Sequence, residues 1–414
     1  MEDDSMAPLA LLGGPAAKRK PFPPWPFYDQ KELDALREVL ESRIWWRTPG
    51  TQTRAFEEEF ASYQGAAYGI AVTNGTHALE VVLQALGIER GNEVIVPDFT
   101  FVATAGAALS AGAIPVPVDV SADTWCINPD LVEKAITPRT RAIIAVHMGG
   151  HPADLDRLTE IASRRGLALV EDCAHAHSSE WRGKKVGSFG IAGTFSFQAS
   201  KLMTAGEGGI ITTADPDFER AARSVHDCGR LPGKWFYDHF SYGSNYRLSE
   251  WQGAILRVQL TRAAEQTRRR SANARLLESL LSKIEGITPQ ALDPRCTHNG
   301  HYAFIYHWDA GCFGGISRAR FIEALKAEGI PEQASYPPIH ALDLFKDPKG
   351  YQGHIGAEYA TRMRAVVGGV FPNTDRAAWE TVWLPQTALL GDAEDMEDVA
   401  AAIRKIQENA RALL

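Results

Sequence analysis

Between Tyr68 and Thr213 the chain keeps repeating one pattern: a short apolar, β-branched run, a stop at Gly, Pro or an acid, then a segment with apolar residues three and four apart. That rhythm marks βαβ units, whose parallel strands are buried on both faces and need a helix on each crossover. Thr76 to Leu86 carries Leu79, Val82, Leu83 and Leu86 at helical spacing, and Glu93-Val-Ile-Val96 follows as a strand stopped by Pro97. A small-residue helix over Phe101 to Ser110, a strand over Ile114 to Val120, a helix near Leu131 to Ile136 and a strand over Ala142 to Val146 continue it. Next come a helix over Leu155 to Arg165 and the strand Leu167-Ala-Leu-Val170, which ends at Glu171 and Asp172. Thr194 to Phe197 and Gly209 to Thr213 read as two more strands around a Gly-rich turn. An α/β domain with about seven strands in one sheet is expected.

Near Leu248 the rhythm stops. A helical stretch is expected to run to about Ile284, marked by Leu256, Leu260, Leu276, Leu280 and Leu281, with Arg268 to Arg270 as a solvated break. Tyr302 to Trp308 (strand), Arg318 to Glu328 (helix), Val382 to Leu384 (strand) and Met396 to Ile406 (helix) then suggest a smaller α+β unit. The expected division is an N-terminal arm and small-lobe or dimer segment over 1–53, a large domain over 54–260 and a small C-terminal domain over 261–414.

A chain of 414 residues buries a core without staples. Its five cysteines, Cys126, Cys173, Cys228, Cys296 and Cys312, are scattered, with no Cys-x-x-Cys, which argues against a zinc ribbon or disulfide framework and for a reducing compartment. Oxidation at Cys173, beside Asp172, is the one case that would be felt at the site. With 43 basic and 51 acidic side chains, the net charge of −8 argues against a nucleic-acid partner. Met1 to Pro24 places its basic cluster after its apolar run, the reverse of a secretory signal, and no stretch has the length of a membrane span. A cytoplasmic location is expected.

The strongest local feature is Thr194-Phe-Ser-Phe-Gln-Ala-Ser-Lys-Leu-Met-Thr-Ala-Gly-Glu-Gly-Gly209. Lys201 sits there between a strand and a Gly-rich turn, among small and apolar residues. Desolvation disfavours an ammonium, so such a lysine can be a nucleophilic amine able to form a Schiff base. Alone it reads as a surface lysine at a strand end. Asp172 changes that, because it ends an apolar strand where doubly wound sheets place ligands. A carboxylate beside a Schiff-base lysine is what pyridoxal phosphate needs, since the acid keeps the pyridine nitrogen protonated. Thr73-Asn-Gly-Thr-His77, between a strand and a helix, offers backbone amides to a phosphate, and Thr76 reads equally as a helix cap.

Gly75-Thr76, Glu171-Asp172, Phe195-Ser-Phe197 with Lys201, Gly206-Glu-Gly-Gly209 and Gly243-Ser-Asn-Tyr-Arg-Leu-Ser-Glu250 together resemble the DegT/DnrJ/StrS family of pyridoxal-phosphate-dependent sugar aminotransferases. The resemblance runs from about Pro21 to the C-terminus. It implies the aspartate aminotransferase type fold (fold type I), with a large mixed-sheet domain, a smaller α+β domain and a homodimer with shared active sites. It makes Lys201 the Schiff-base lysine and proton shuttle, and Asp172 the partner of the pyridine nitrogen. Gly75, Thr76 and Ser196 would bind phosphate, Asn245 would reach the cofactor of the neighbouring subunit, and Phe101 would stack on the ring. Many members carry Gln three residues after the Asp, where this chain has His175 in Asp172-Cys-Ala-His-Ala-His177; a His supplies the same donor. That variant, with Trp45-Trp-Arg47, looks like the branch of scyllo-inosose aminotransferases and 3-amino-5-hydroxybenzoate synthases. Lys201 itself separates the chain from the family's dehydratases, which have His there.

Other candidates stand on less. His147 and His151 flank a Gly-rich loop, but no third ligand follows at metal spacing, so no metal is expected. Trp45, Trp46 and Arg47 read as a substrate wall or, equally, as core or interface, and Tyr336-Pro-Pro-Ile-His340 as a site border or a plain loop. The expected activity is transfer of an amino group from glutamine or glutamate to a keto-cyclitol or keto-sugar in aminoglycoside-type metabolism. Its rivals are an aminohydroxybenzoate-synthase-like dehydration and aromatisation, for which Arg47 or Arg230 would hold a carboxylate, and a non-catalytic regulatory partner.

Overall fold

The computed structural model describes residues 8–414, so Met1 to Ala7 of the expected arm lie outside the described residues. Seven strands form the main sheet: β1 (Tyr68–Val72), β2 (Glu93–Pro97), β3 (Ile114–Val118), β4 (Thr140–Val146), β5 (Ala168–Asp172), β6 (Ala192–Ser196) and β7 (Gly209–Thr213). Their order is β1-β7-β6-β5-β4-β2-β3. All neighbours are parallel except where β7 runs against β1 and β6. Because β6 and β7 are consecutive and antiparallel, the chain joins them without a crossover helix, and the Gly-rich turn bearing Lys201 is that junction.

The strands are near-continuous apolar runs because helices cover both faces. Val94, Ile95, Val96, Ile143, Ile144 and Ala145 have no exposed surface. Parallel strands end on one side, and there Asp172 closes β5, Ser196 closes β6, and Gly75 opens the Gly75–Ala85 helix just after β1. Register holds these ends level: Val146 pairs with Asp172, and Asp172 with Thr194.

The Glu250–Leu281 helix is unbroken, so the expected break at Arg268 to Arg270 does not occur, and residue 260 falls within it. Arg268 and Arg269 are exposed, but Arg270 is buried, with Nε and Nη2 donating to Gln386 Oε1 at 2.9 and 2.6 Å. A helix packed on more than one side carries no simple polar face, so a run of arginines did not mark a stop. Its N-terminal half packs on Gln30–Ser42 and Gln52–Gln64, and it also meets Ala393–Glu408.

A second, antiparallel sheet runs Ile287–Pro289, Ala303–Trp308, Thr381–Pro385, Gln333–Ala334, backed by the Arg318–Ala327 and Ala393–Glu408 helices. Leu9 packs into that core, and Lys18 bonds Asp395 there. Ile339, Phe345, Tyr351, Ile355 and Met363, expected in the smaller unit, instead join the core of the main sheet. Their helices are short and lie between Pro- and Gly-rich turns, so no long periodicity showed where they pack. Among the described residues, no helix is long and apolar enough to cross a membrane.

Candidate active site

At the carboxyl ends of the strands lies a cavity of about 610 Å³ whose wall includes Gly75, Thr76, Phe101, Asp172, His175, Ser196, Lys201 and Tyr336. These eight, scattered along the chain, were all singled out by sequence. Gln198, Ser200 and Glu207 of the Lys201 stretch join them, though no role of their own was expected, and Thr100, Thr104 and Tyr302 join without having been singled out.

Asp172 is buried. Its Oδ1 accepts the Ala174 amide at 3.1 Å and its Oδ2 the Thr104 hydroxyl at 3.0 Å, while Thr104 and Thr100 bond each other at 2.8 Å. Burial raises the Asp172 pKa, opposed by the Ala174 and Thr104 hydrogen bonds and by the charge of Lys201. A buried carboxylate with this shortage of cationic partners suits a ligand that brings a positively charged N–H.

Lys201 hangs from a turn pinned at both ends: Phe197 N donates to Gly208 O at 2.8 Å, and Thr204 Oγ1 to Phe197 O at 2.9 Å. Its Nζ lies 4.4 Å from the centre of the Tyr302 ring. His175 stacks on the same Tyr302, centres 3.9 Å apart and planes at 15°, and its Nε2 is 3.2 Å from the Tyr336 hydroxyl. Burial pushes the His175 pKa well down, so the ring is neutral; its buried Nδ1 has no hydrogen-bond partner among the described residues.

The anion end is built by close approach. Asn74 caps the helix by accepting the His77 amide at 2.8 Å, which leaves the amides of the first turn facing the cavity end. A Cβ on Gly75 would stand 2.7 Å from Ser196 Cβ, and one on Gly209 would stand 2.4 Å from the Asn74 carbonyl. Only glycines let the two strand ends and the helix start meet. Gly75→Ala should therefore weaken cofactor binding at least about fivefold, the equivalent of the lower end of overpacking costs. Equilibrium dialysis of the cofactor checks this, and an unchanged affinity would remove the Gly75–Ser196 contact from the site.

Six sequence candidates stand elsewhere. Arg47 is paired with buried Glu57 at 2.7 Å, so it is not free to meet a substrate. Trp45 and Trp46 are about half exposed and pack on Trp251 and Phe236, outside the cavity wall. His340 faces away as well: its amide donates to Asp98 Oδ1 at 2.9 Å, its Nδ1 bonds Asp98 Oδ2, and its ring stacks on Phe371. It thereby ties the Tyr336 loop to the segment carrying Phe101, whose rings lie 5.7 Å apart. Asn245 is exposed and not in the wall. Arg230 is held by Asp227 at 3.1 Å and the Phe236 carbonyl at 2.8 Å.

His147 and His151 do not form a pair. His147 Nδ1 accepts the Ala153 amide, and its Nε2 donates to Glu171, which also takes the amides of Gly187, Phe189 and Gly190. His151 Nδ1 donates to the Pro152 carbonyl, and its Nε2 accepts the Asp293 amide. Cys173 beside them is buried, and burial pushes its thiol pKa well up.

The glycine-lined helix start, the buried acid beside a lysine and the orphaned His175 nitrogen fit pyridoxal phosphate, and on this sheet they define a fold type I aminotransferase. A crystal structure of 3-amino-5-hydroxybenzoic acid synthase superposes with a TM-score of 0.86 at 39% identity, covering 95% of this chain and 100% of that one. The chain belongs to the DegT/DnrJ/EryC1/StrS aminotransferase family, whose model matches residues 26–404. It is 40% identical to the 3-amino-5-hydroxybenzoate synthase of Amycolatopsis mediterranei, over 94% of this chain and 98% of that one. It is 39% identical to the L-glutamine:2-deoxy-scyllo-inosose aminotransferase of Streptomyces fradiae, over 97% and 98%. The protein is thus an enzyme, and its cofactor is pyridoxal 5′-phosphate.

Proposed function

We propose that the enzyme moves an amino group from glutamine or glutamate to a keto-cyclitol or keto-sugar in aminoglycoside-type biosynthesis. The observation that carries this is end-to-end identity of 37–39% with aminotransferases named for glutamine and 2-deoxy-scyllo-inosose. The wall supports it, since Thr100, Ser200, Tyr302 and Tyr336 bring hydroxyls suited to a polyhydroxylated ring. In this reading Asp172 holds the pyridine N–H, and Gly75, Thr76 and Ser196 hold the phosphate. His175 meets the ring oxygen, Phe101 covers the ring, and Lys201 carries protons. When bound, pyridoxal phosphate supplies an electron sink for the bond broken at the donor's α-carbon.

The active unit is a cytoplasmic homodimer. Trp235, Tyr237 and Tyr242, 66–87% exposed, cluster in the segment leading to Asn245 and give it an apolar face for a second copy, and Asn245 would serve that copy's site. The second reading, dehydration and aromatisation of a carboxylated ring, is kept by the similarity to 3-amino-5-hydroxybenzoate synthase. The feature that would favour it, a free arginine in the cavity wall, is missing among the described residues.

Challenging the pyridoxamine form with ketocyclitols, ketoses and aminodehydroshikimate-like acids decides between them. Ketocyclitols should restore the absorption of the pyridoxal form and yield an amine; an aromatic product from the acid alone would overturn the proposal.

A further inference from the structure

We propose that Tyr302 is a positioning residue that holds the Lys201 ammonium whenever that lysine is not bonded to the cofactor. This rests on the assignment of Lys201 as the cofactor-binding lysine.

The Lys201 side chain reaches the Tyr302 ring. Its Nζ stands over the face of Tyr302, 4.4 Å from the ring centre. An aromatic face attracts a cation most where water is thin, as it is beside this half-buried side chain. Lys201 needs such a place. Two histidines feel its charge, His175 on the same wall and His177 outside it, both held neutral by burial, with His177 pushed down to about 3. Neither imidazole can pair with an ammonium as an anion would, and Asp172, whose anion the charge of Lys201 favours, is bonded instead to Ala174 and Thr104.

Tyr302 is itself fixed from several sides. His175 stacks on it at 3.9 Å, its hydroxyl lies 3.2 Å from Ser200 Oγ, and it leads into the Ala303–Trp308 strand. Immediately before it, His301 has a left-handed backbone, φ +54°, a conformation rarely taken by a residue with a side chain. The turn that aims Tyr302 into the cavity is thus held in an uncommon geometry. The hydroxyl is not what the proposal needs. The ring face is, so phenylalanine should serve and an aliphatic residue should not.

The two cofactor forms separate this role from general packing. With pyridoxal phosphate bound, the lysine is covalently attached and needs no other partner; with pyridoxamine phosphate bound, it is free. Release of each form from the holoenzyme is followed by dialysis and absorbance. Tyr302→Leu should slow release of pyridoxal phosphate about threefold to thirtyfold, the span of cation–π strengths, because release no longer regains the contact, and change release of pyridoxamine phosphate less than about twofold, because the lysine is free before and after. Tyr302→Phe should match the wild type in both. In a Lys201→Ala background the effect of Tyr302→Leu on pyridoxal phosphate should vanish, since the partner is gone.

An equal change in both forms by Tyr302→Leu, no slowing of pyridoxal phosphate release, or a phenylalanine variant that behaves like leucine would overturn the role. Failure of the underlying assignment looks different: Lys201→Ala would then keep the absorbance of lysine-bound cofactor. Loss of that absorbance together with an unchanged release ratio in Tyr302→Leu refutes the Tyr302 role alone.

Discussion

Lys201→Ala should remove the long-wavelength absorbance of bound cofactor and lower turnover by at least about 10²–10⁴-fold, the share a positioned acid–base group contributes. Lys201 lines the cavity on a turn whose two ends are pinned, so its amine reaches one place and can give back there the proton it takes. No neighbour is placed to substitute. His175 and His177 are buried and neutral with strongly lowered pKa values, and the Tyr336 pKa is pushed well up by burial. Lys201→Arg should be as inactive as the alanine variant despite keeping the charge, because a guanidinium neither bonds the cofactor as an amine nor releases a proton near neutral pH. A small primary amine added to the alanine variant should recover part of the activity. Turnover within tenfold of wild type, or retained absorbance, would sink the assignment of Lys201.

Much of this site was readable because its members sit at strand ends. Asp172, Ser196 and the Gly75 turn each follow an apolar β run, and a parallel sheet brings such ends together whatever their separation along the chain. The Lys201 turn was readable for its glycines. Tyr302 was not: it begins a strand, the usual place for an aromatic, and only its stack with His175 distinguishes it. Thr104 was hidden in a helix of small residues, where its hydroxyl has no sequence signature until Asp172 is placed beside it. Arg47 misled for the opposite reason. An arginine beside two tryptophans suggests a ligand wall, but its partner, Glu57, is buried on the Gln52–Gln64 helix, and that carboxylate also binds Arg223 and the Ala71 amide. His340 misled likewise, since pairing with Asp98 is a long-range contact with no local pattern.

Asp172→Asn should leave the fold intact yet cost about 10²–10³-fold in turnover, the scale of losing one preorganised electrostatic partner. The carboxylate is buried in the cavity wall, and its two oxygens already accept Ala174 N and Thr104 Oγ1, which fixes its plane toward the cavity. Those donors favour the anion, while burial raises its pKa, so a cationic N–H brought by the cofactor offsets the cost of burying the charge. Asparagine matches the shape but carries no charge, and its amide nitrogen must face one of the two donors that the oxygens accepted. The cofactor should therefore still bind through Gly75, Thr76, Ser196 and Lys201, with lysine-bound absorbance retained, while the rate of proton removal from the donor falls. Thr104→Val, which keeps the charge and removes one hydrogen bond, should lose only about tenfold, consistent with a bond to a charged group. Single-turnover absorbance with glutamine separates the two effects. An Asp172→Asn enzyme that converts bound cofactor within about fivefold of the wild-type rate would show that this carboxylate is not the partner of the ring nitrogen.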